Sequence, residues 1–173
     1  MPNTNELQTF LKTWDQVAEG TIKLLEALPK DQYDFRADKE SRSLGEMAWH
    51  LAELDGYSSW IVANPTKSGE KPPGIERPRD VASLATGYAR IHKDAIERLS
   101  KLTPAVLDET RPFFGGRELP VRQILWDATL HHQLHHRGQL VLMCRLAGGT
   151  PPGLFGPNRE ATAAMRAQQA AKA

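Results

Sequence analysis

The sequence predicts an all-α protein, a four-helix bundle with long connections and a short C-terminal tail. Three observations carry this. Four long stretches repeat apolar residues at steps of three and four, the spacing of one face of a helix. Capping residues, prolines and glycines fall at the ends of those stretches. No glycine-rich phosphate loop, internal repeat or unbroken apolar run of about 18 residues offers a competing architecture. At 173 residues the chain suits one unit with a sizeable core, assigned here to residues 1–158, and residues 159–173 form a helical or frayed tail.

The first helix is expected over residues 5–28, where Leu7, Leu11, Trp14, Ala18, Thr21, Leu25 and Leu28 make a seam. Asn3, with Glu6 three residues on, is its expected cap, and Pro29 its stop. Residues 30–42 are polar and read as a connection, with Tyr33 and Phe35 turned inward. Ser43 and Glu46 then form an S-x-x-E capping box, which fixes the start of the second helix. Its seam runs Met47, His50, Leu54, Tyr57, Ile61, so His50 is expected on a core-facing position.

Residues 64–79 contain four prolines and two glycines and read as a long surface loop. Asp80 is the expected cap of a third helix with the seam Leu84, Tyr88, Ile91, Ala95, Leu99, Leu102, ended by Pro104. His92 lies beside that seam and reads as solvated. Over residues 103–119, Pro104 starts a short helical turn and Gly115-Gly116 suits a tight turn between short extended pieces. The fourth helix runs from Pro120 to about residue 147, about 40 Å at 1.5 Å per residue.

Charge and composition narrow the function classes. Basic and acidic residues nearly cancel, 22 against 21, so nothing steers the chain toward nucleic acid or anionic lipid. A single cysteine, Cys144, precludes an internal disulfide framework and suits a reducing cytoplasm. Its apolar neighbours Leu142, Met143 and Leu146 mark it as a small core residue rather than a nucleophile.

The fourth helix holds four of the six histidines, in D-A-T-L-H-H-Q-L-H-H-R-G-Q over residues 127–139. Two pairs are four apart on a common face, His131/His135 and His132/His136, and either could hold two corners of a metal polyhedron. The seam Leu125, Thr129, His132, His136, Gln139, Met143, Leu146 favours His132 and His136. The competing seam through His131 and His135 ends in the charge of Arg145. The intervening residues carry no glutamate, so the base of an H-E-x-x-H peptidase is missing. His50, from the second helix, would supply a third imidazole. Glu53, one turn later, is the expected carboxylate behind it. Arg137 and Arg145 are candidates to meet a substrate carboxylate, with a surface or interface ion pair as the alternative for Arg137.

The run H-x-x-H-H-R-G-Q from His132 to Gln139, with L-G-E-M-A-W-H-L around His50, resembles the DinB family of bacterial four-helix-bundle metalloproteins over roughly residues 5–150. The resemblance implies His50, His132 and His136 as the metal ligands, an up-down-down-up bundle and a homodimer. It implies a divalent transition metal, zinc or nickel first, with iron and manganese behind them. Some relatives are thiol-dependent transferases or isomerases that use small thiols such as mycothiol or bacillithiol, and others are described as metal-dependent hydrolases. The expected function is therefore activation of a thiol or a water at a three-histidine site, with a small-molecule thiol and an electrophile as partners. The alternative is a non-catalytic, stress-related metal-binding bundle.

Overall fold

The computed structural model describes residues 6–67 and 69–172; the expected Asn3 cap lies outside them. The chain is mainly helical, in the order α1 (Glu6–Glu26), α2 (Leu44–Ala63), α3 (Leu84–Ser100), the strands β1 (Thr110–Phe113) and β2 (Arg117–Pro120), α4 (Val121–Gln123), a π-helical segment (Ile124–His131), α5 (His132–Leu146) and α6 (Arg159–Ala170). The segment from Val121 to Leu146 is one continuous helical stretch whose middle is wound more widely. No described helix is long and apolar enough to cross a membrane.

Each seam residue expected in α1 is buried, together with Phe10, Val17 and Leu24. The capping box at α2 forms as its sequence dictates. The Ser43 hydroxyl accepts from the Glu46 amide, and the Glu46 carboxylate accepts from the Ser43 amide at 2.7 Å, satisfying two of the otherwise unpaired N–H groups of the first turn. Residues 30–42 clamp this helix start. Tyr33 is buried and lies so close to Gly45 that a Cβ there would come within 2.2 Å of its ring.

Several boundaries differ from expectation. Asp80 does not cap α3; it accepts from the Ser83 amide and hydroxyl one turn before the helix, and Ser83 occupies the cap position. The 64–79 loop is tied down rather than free on the surface. Ile75 is buried, its carbonyl accepts from the Trp49 indole at 3.0 Å, and Arg90 donates to the Gly74 carbonyl. The extended pieces around Gly115-Gly116 form an antiparallel hairpin in which Arg111 faces Leu119, with both glycines at positive φ in its turn. The tail is helical over Arg159–Ala170 and buries none of its residues.

Helix α3 packs against both α1 and α2, so its buried face is wider than a single seam. That is why His92, expected in solvent, is 4% exposed. Two apolar clusters fill the interior, one around Trp49, Leu51 and Leu84 and the other around Phe10, Trp14 and Leu125. A polar layer lies between them. His92 touches the Trp14 ring of one cluster edge-on at 4.8 Å and stacks on the Tyr88 ring of the other at 5.9 Å. Fully buried Asp55 accepts from His92 at 2.7 Å and from the Trp14 indole at 3.2 Å.

Candidate metal centre

The wide turn in the fourth helical stretch sets the site. The His132 amide donates to the carbonyl of Asp127, five residues back, and the Thr129 hydroxyl donates to the Ile124 carbonyl at 2.7 Å. A π-turn holds more residues than an α-turn, so the core-facing position arrives about one residue late. Beyond it the buried residues are Gln133, His136, Arg137, Leu140, Met143 and Cys144. The expected seam is thereby corrected: Gln139 and Leu146 are exposed, and His132 lies at the rim instead of in the core. Helix α2 shows a matching offset. Its deep positions are Leu51, Ala52, Asp55, Ser59 and Val62, whereas His50, Leu54 and Tyr57 are half-buried. They line a cavity instead of filling the core.

Across this rim His50, His132 and His136 converge, with one ligand-capable atom from each lying within 4.8 Å of the others. The ring centroids of His50 are 5.7 Å from His132 and 4.7 Å from His136. The two Nε2 atoms of His132 and His136 are 2.8 Å apart. Two nitrogen ligands on a tetrahedral ion with bonds of about 2.0–2.1 Å sit about 3.3 Å apart, so this pair would open by about half an ångström while the wider separations in the group, up to 4.8 Å, would close.

Each ring has its other nitrogen engaged. His50 Nδ1–H donates to Glu53 at 3.3 Å, His136 Nδ1–H donates to the Gln139 amide oxygen at 2.7 Å, and the His132 ring bonds the Ala128 backbone. These bonds fix the tautomers that turn Nε2 lone pairs toward the common point. Two such lone pairs at 2.8 Å repel unless a proton or a cation lies between them. Burial, together with the neighbouring histidines, disfavours the proton. It pushes His136 down to about 4, and the same causes lower His132. The donor set therefore fits a divalent cation held by neutral imidazoles.

Glu53 stands behind His50 as the sequence suggested. Burial opposes its charge, but hydrogen bonds from His50 and from Arg77 at 3.1 Å outweigh that and hold the carboxyl below its usual value. Sequence reasoning missed Arg77 because it sits in the 64–79 loop, and missed the role of Gln139 although that residue lies one turn after His136. Gln139 also donates to His135 at 3.2 Å.

The remaining candidates are not at the site. His131 and His135 are exposed, and His131 pairs with Asp127 at 3.0 Å. Arg137 is 3% exposed; it donates to the Val17 carbonyl at 2.8 Å and lies 5.0 Å under the Phe155 ring, so it neither faces the cavity nor forms a surface ion pair. Arg145 is taken up by a bidentate pair with Glu160 at 2.6 and 2.7 Å. Cys144 is fully buried, and burial pushes its thiol up, away from nucleophilic character.

A cavity of about 420 Å³ opens beside the cluster, between the His50 and His132 rings and the aromatic side chains of Tyr57, Phe113 and Phe114. Its wall is the β1–β2 hairpin, not the 64–79 loop.

Comparison with known proteins adds a family to this geometry. The chain matches the model of the DinB family over residues 1–170. It is 31% identical over 157 residues to the uncharacterised protein YrdA of Bacillus subtilis (strain 168), covering 89% of this chain and 90% of YrdA. A crystal structure of a DinB-like protein from Bacillus cereus ATCC 10987 superposes with a TM-score of 0.69 at 28% identity, covering 86% of this chain and 97% of that one. The DinB-like protein YjoA of Bacillus subtilis superposes with a TM-score of 0.68 over 87% of this chain and 99% of its own; at 23% identity that likeness concerns the fold alone.

Proposed function

The chain belongs to the DinB family, and from that premise we propose that it is an enzyme that binds one divalent transition metal through His50, His132 and His136 and uses it to activate a thiol or a water. The observation that carries this is the convergence of three imidazoles whose outer nitrogens are tied and whose inner nitrogens face one point beside an open cavity. A bound divalent ion lowers the pKa of a coordinated water to about 7 and deprotonates a coordinated thiol outright. Zinc and nickel suit this all-imidazole set best, ahead of iron and manganese.

The protein's own residues orient and shield. Glu53, gripped by Arg77, holds the His50 ring in one orientation, and Gln139 does the same for His136. Tyr57, Phe113 and Phe114 give the cavity an apolar wall against which the electrophile sits. Among the described residues no fourth His, Cys, Asp or Glu joins the three histidines. A purely structural site would be closed by such a ligand, so this supports the catalytic reading over a stress-related structural one. In the same reading residues 1–158 form the metal-binding unit, an up-down-down-up bundle, and the protein works as a cytoplasmic homodimer.

The test is reconstitution with zinc or nickel, followed by a screen of small thiols against monochlorobimane and of hydrolysable esters against water. The expected result is a rate that needs both the metal and a thiol and that chelation removes. Metal-dependent ester hydrolysis alone would move the assignment to hydrolase. A loaded protein inert to both would move it to the non-catalytic reading.

A further inference from the structure

The cavity beside the histidines carries more information than its shape. Its lining includes one carboxylate, Glu53, whose charge is matched by Arg77 and which also accepts from His50. It also includes one guanidinium, Arg42, which forms no hydrogen bond or ion pair through its side chain among the described residues. Arg42 sits two residues before α2, is exposed, and shares the cavity lining with His50 and His132. A solvated guanidinium with no protein partner at the edge of the cavity is free to take up an anionic group.

The other end is equally specific. Ser58 lines the cavity, is 2% exposed, and its hydroxyl makes no hydrogen bond to any described residue. Its hydroxyl is therefore free to bond a polar atom of a molecule bound in the cavity. His50 and Ser58 are eight residues apart on α2, about 12 Å at 1.5 Å per residue. Between them stand Tyr57 and Phe114, whose rings meet edge-on at 5.9 Å, and Phe113, 5.0 Å from Phe114. An aromatic group fits such walls through offset or edge-to-face contacts.

We propose that the cavity binds a small aromatic carboxylate, its anionic group on Arg42 next to the three histidines, its ring against Tyr57, Phe113 and Phe114, and a polar substituent at the far end on Ser58. Arg42 thus does what the sequence suggested for Arg137 and Arg145. The assignment rests on the metal-site reading only for where the reacting atom lies. The carboxylate belongs either to the electrophile or to the thiol that attacks it, and both present the same chemistry to Arg42.

The binding test uses 3-phenylpropionate, 3-phenylpropionamide and 3-(4-hydroxyphenyl)propionate, titrated calorimetrically at low ionic strength into metal-free and zinc-loaded protein. The carboxylate is expected to bind about tenfold tighter than the amide, as one charge-assisted contact gives, in metal-free protein as well. Arg42→Gln should bring the two within about twofold, because only uncharged contacts are left to both. The 4-hydroxyl should tighten binding several-fold in wild type and not in Ser58→Ala. Equal binding of carboxylate and amide, or a preference that survives Arg42→Gln, overturns the assignment. So does a preference seen only with zinc, since the carboxylate then sits on the metal. Failure to bind zinc at all would sink the metal reading and leave the metal-free comparison intact. With turnover in hand, pairing a carboxylated electrophile with a neutral thiol, and the reverse, shows which partner loses rate in Arg42→Gln. If neither does, Arg42 holds no reactant.

Discussion

His92 and His136 are both buried, at 4% and 9% exposure, yet their surroundings drive them in opposite directions. His92 gives Nδ1 to Asp55 at 2.7 Å and turns Nε2 toward Asp15 at 3.4 Å. Burial opposes its charge, but the two carboxylates outweigh that and raise it above the usual histidine value. His136 meets no carboxylate. It is surrounded by three other histidines, His50, His132 and His135, and burial holds it at about 4. One ring sits beside carboxylates that favour its charged form. The other is held toward its neutral form, with Nε2 facing His132 Nε2 at 2.8 Å. A buried histidine becomes a ligand through what surrounds its two nitrogens, and burial alone does not decide it.

The sharpest way to break this comparison is to remove one histidine from each environment. His92→Ala leaves the Asp55 carboxylate buried without its cation, a change that costs about 3–5 kcal/mol. Urea denaturation of the metal-free protein should show that loss, while the folded variant still takes up one zinc. A stability within about 0.5 kcal/mol of wild type, the range of ordinary surface changes, would mean that the Asp55–His92 pair holds nothing together.

A smaller effect is expected from the residue that orients a ligand. Glu53→Gln keeps a hydrogen-bond acceptor for His50 but removes the charge that Arg77 grips, and zinc affinity should fall about tenfold, the lower end for such supporting residues. Competition with a fluorescent chelator measures it. Unchanged affinity would reduce Glu53 to a partner of Arg77 alone.

Acid sharpens the contrast most gently. For His92 the folded value is raised, so its stabilisation is complete below about pH 6.5, the unfolded value, and is lost as pH rises through the folded one. For His136 the folded value is lowered to about 4, so the folded state binds fewer protons between pH 4 and about 6.5. Its contribution is present above that unfolded value and is lost as pH falls. Ring-proton NMR of metal-free protein should show one histidine titrating above pH 6.5 and another near 4. If both titrate together near 6.5, the two environments do not differ.

Much of this was legible in the sequence where local rules suffice. The capping box at Ser43 and Glu46 and the α1 seam follow from spacing and from one well-formed motif, and the grouping of His50 with His132 and His136 follows from the resemblance to the family. The misreadings have a common physical origin in contacts between elements. His92 lies one residue off the α3 seam, and nothing local reveals that α1 and α2 both close over it or that Asp55 waits on α2. The wide turn at 124–131 shifts the buried face by about one residue, which no periodicity of 3.6 anticipates. Arg137 reads as a surface or substrate-facing cation from sequence because its partners, the Val17 carbonyl and Phe155, are remote along the chain. The cavity wall comes from Phe113 and Phe114 in a hairpin that carries no chemical motif of its own.

The central claim is that the three-histidine cluster is the metal site, and zinc titration by calorimetry of wild type and His132→Ala tests it most directly. His132 is at the exposed rim, so its replacement should leave the metal-free fold within about 0.5 kcal/mol of wild type. One zinc per wild-type chain and none in His132→Ala is the predicted outcome. Equal zinc uptake by the two proteins would contradict it.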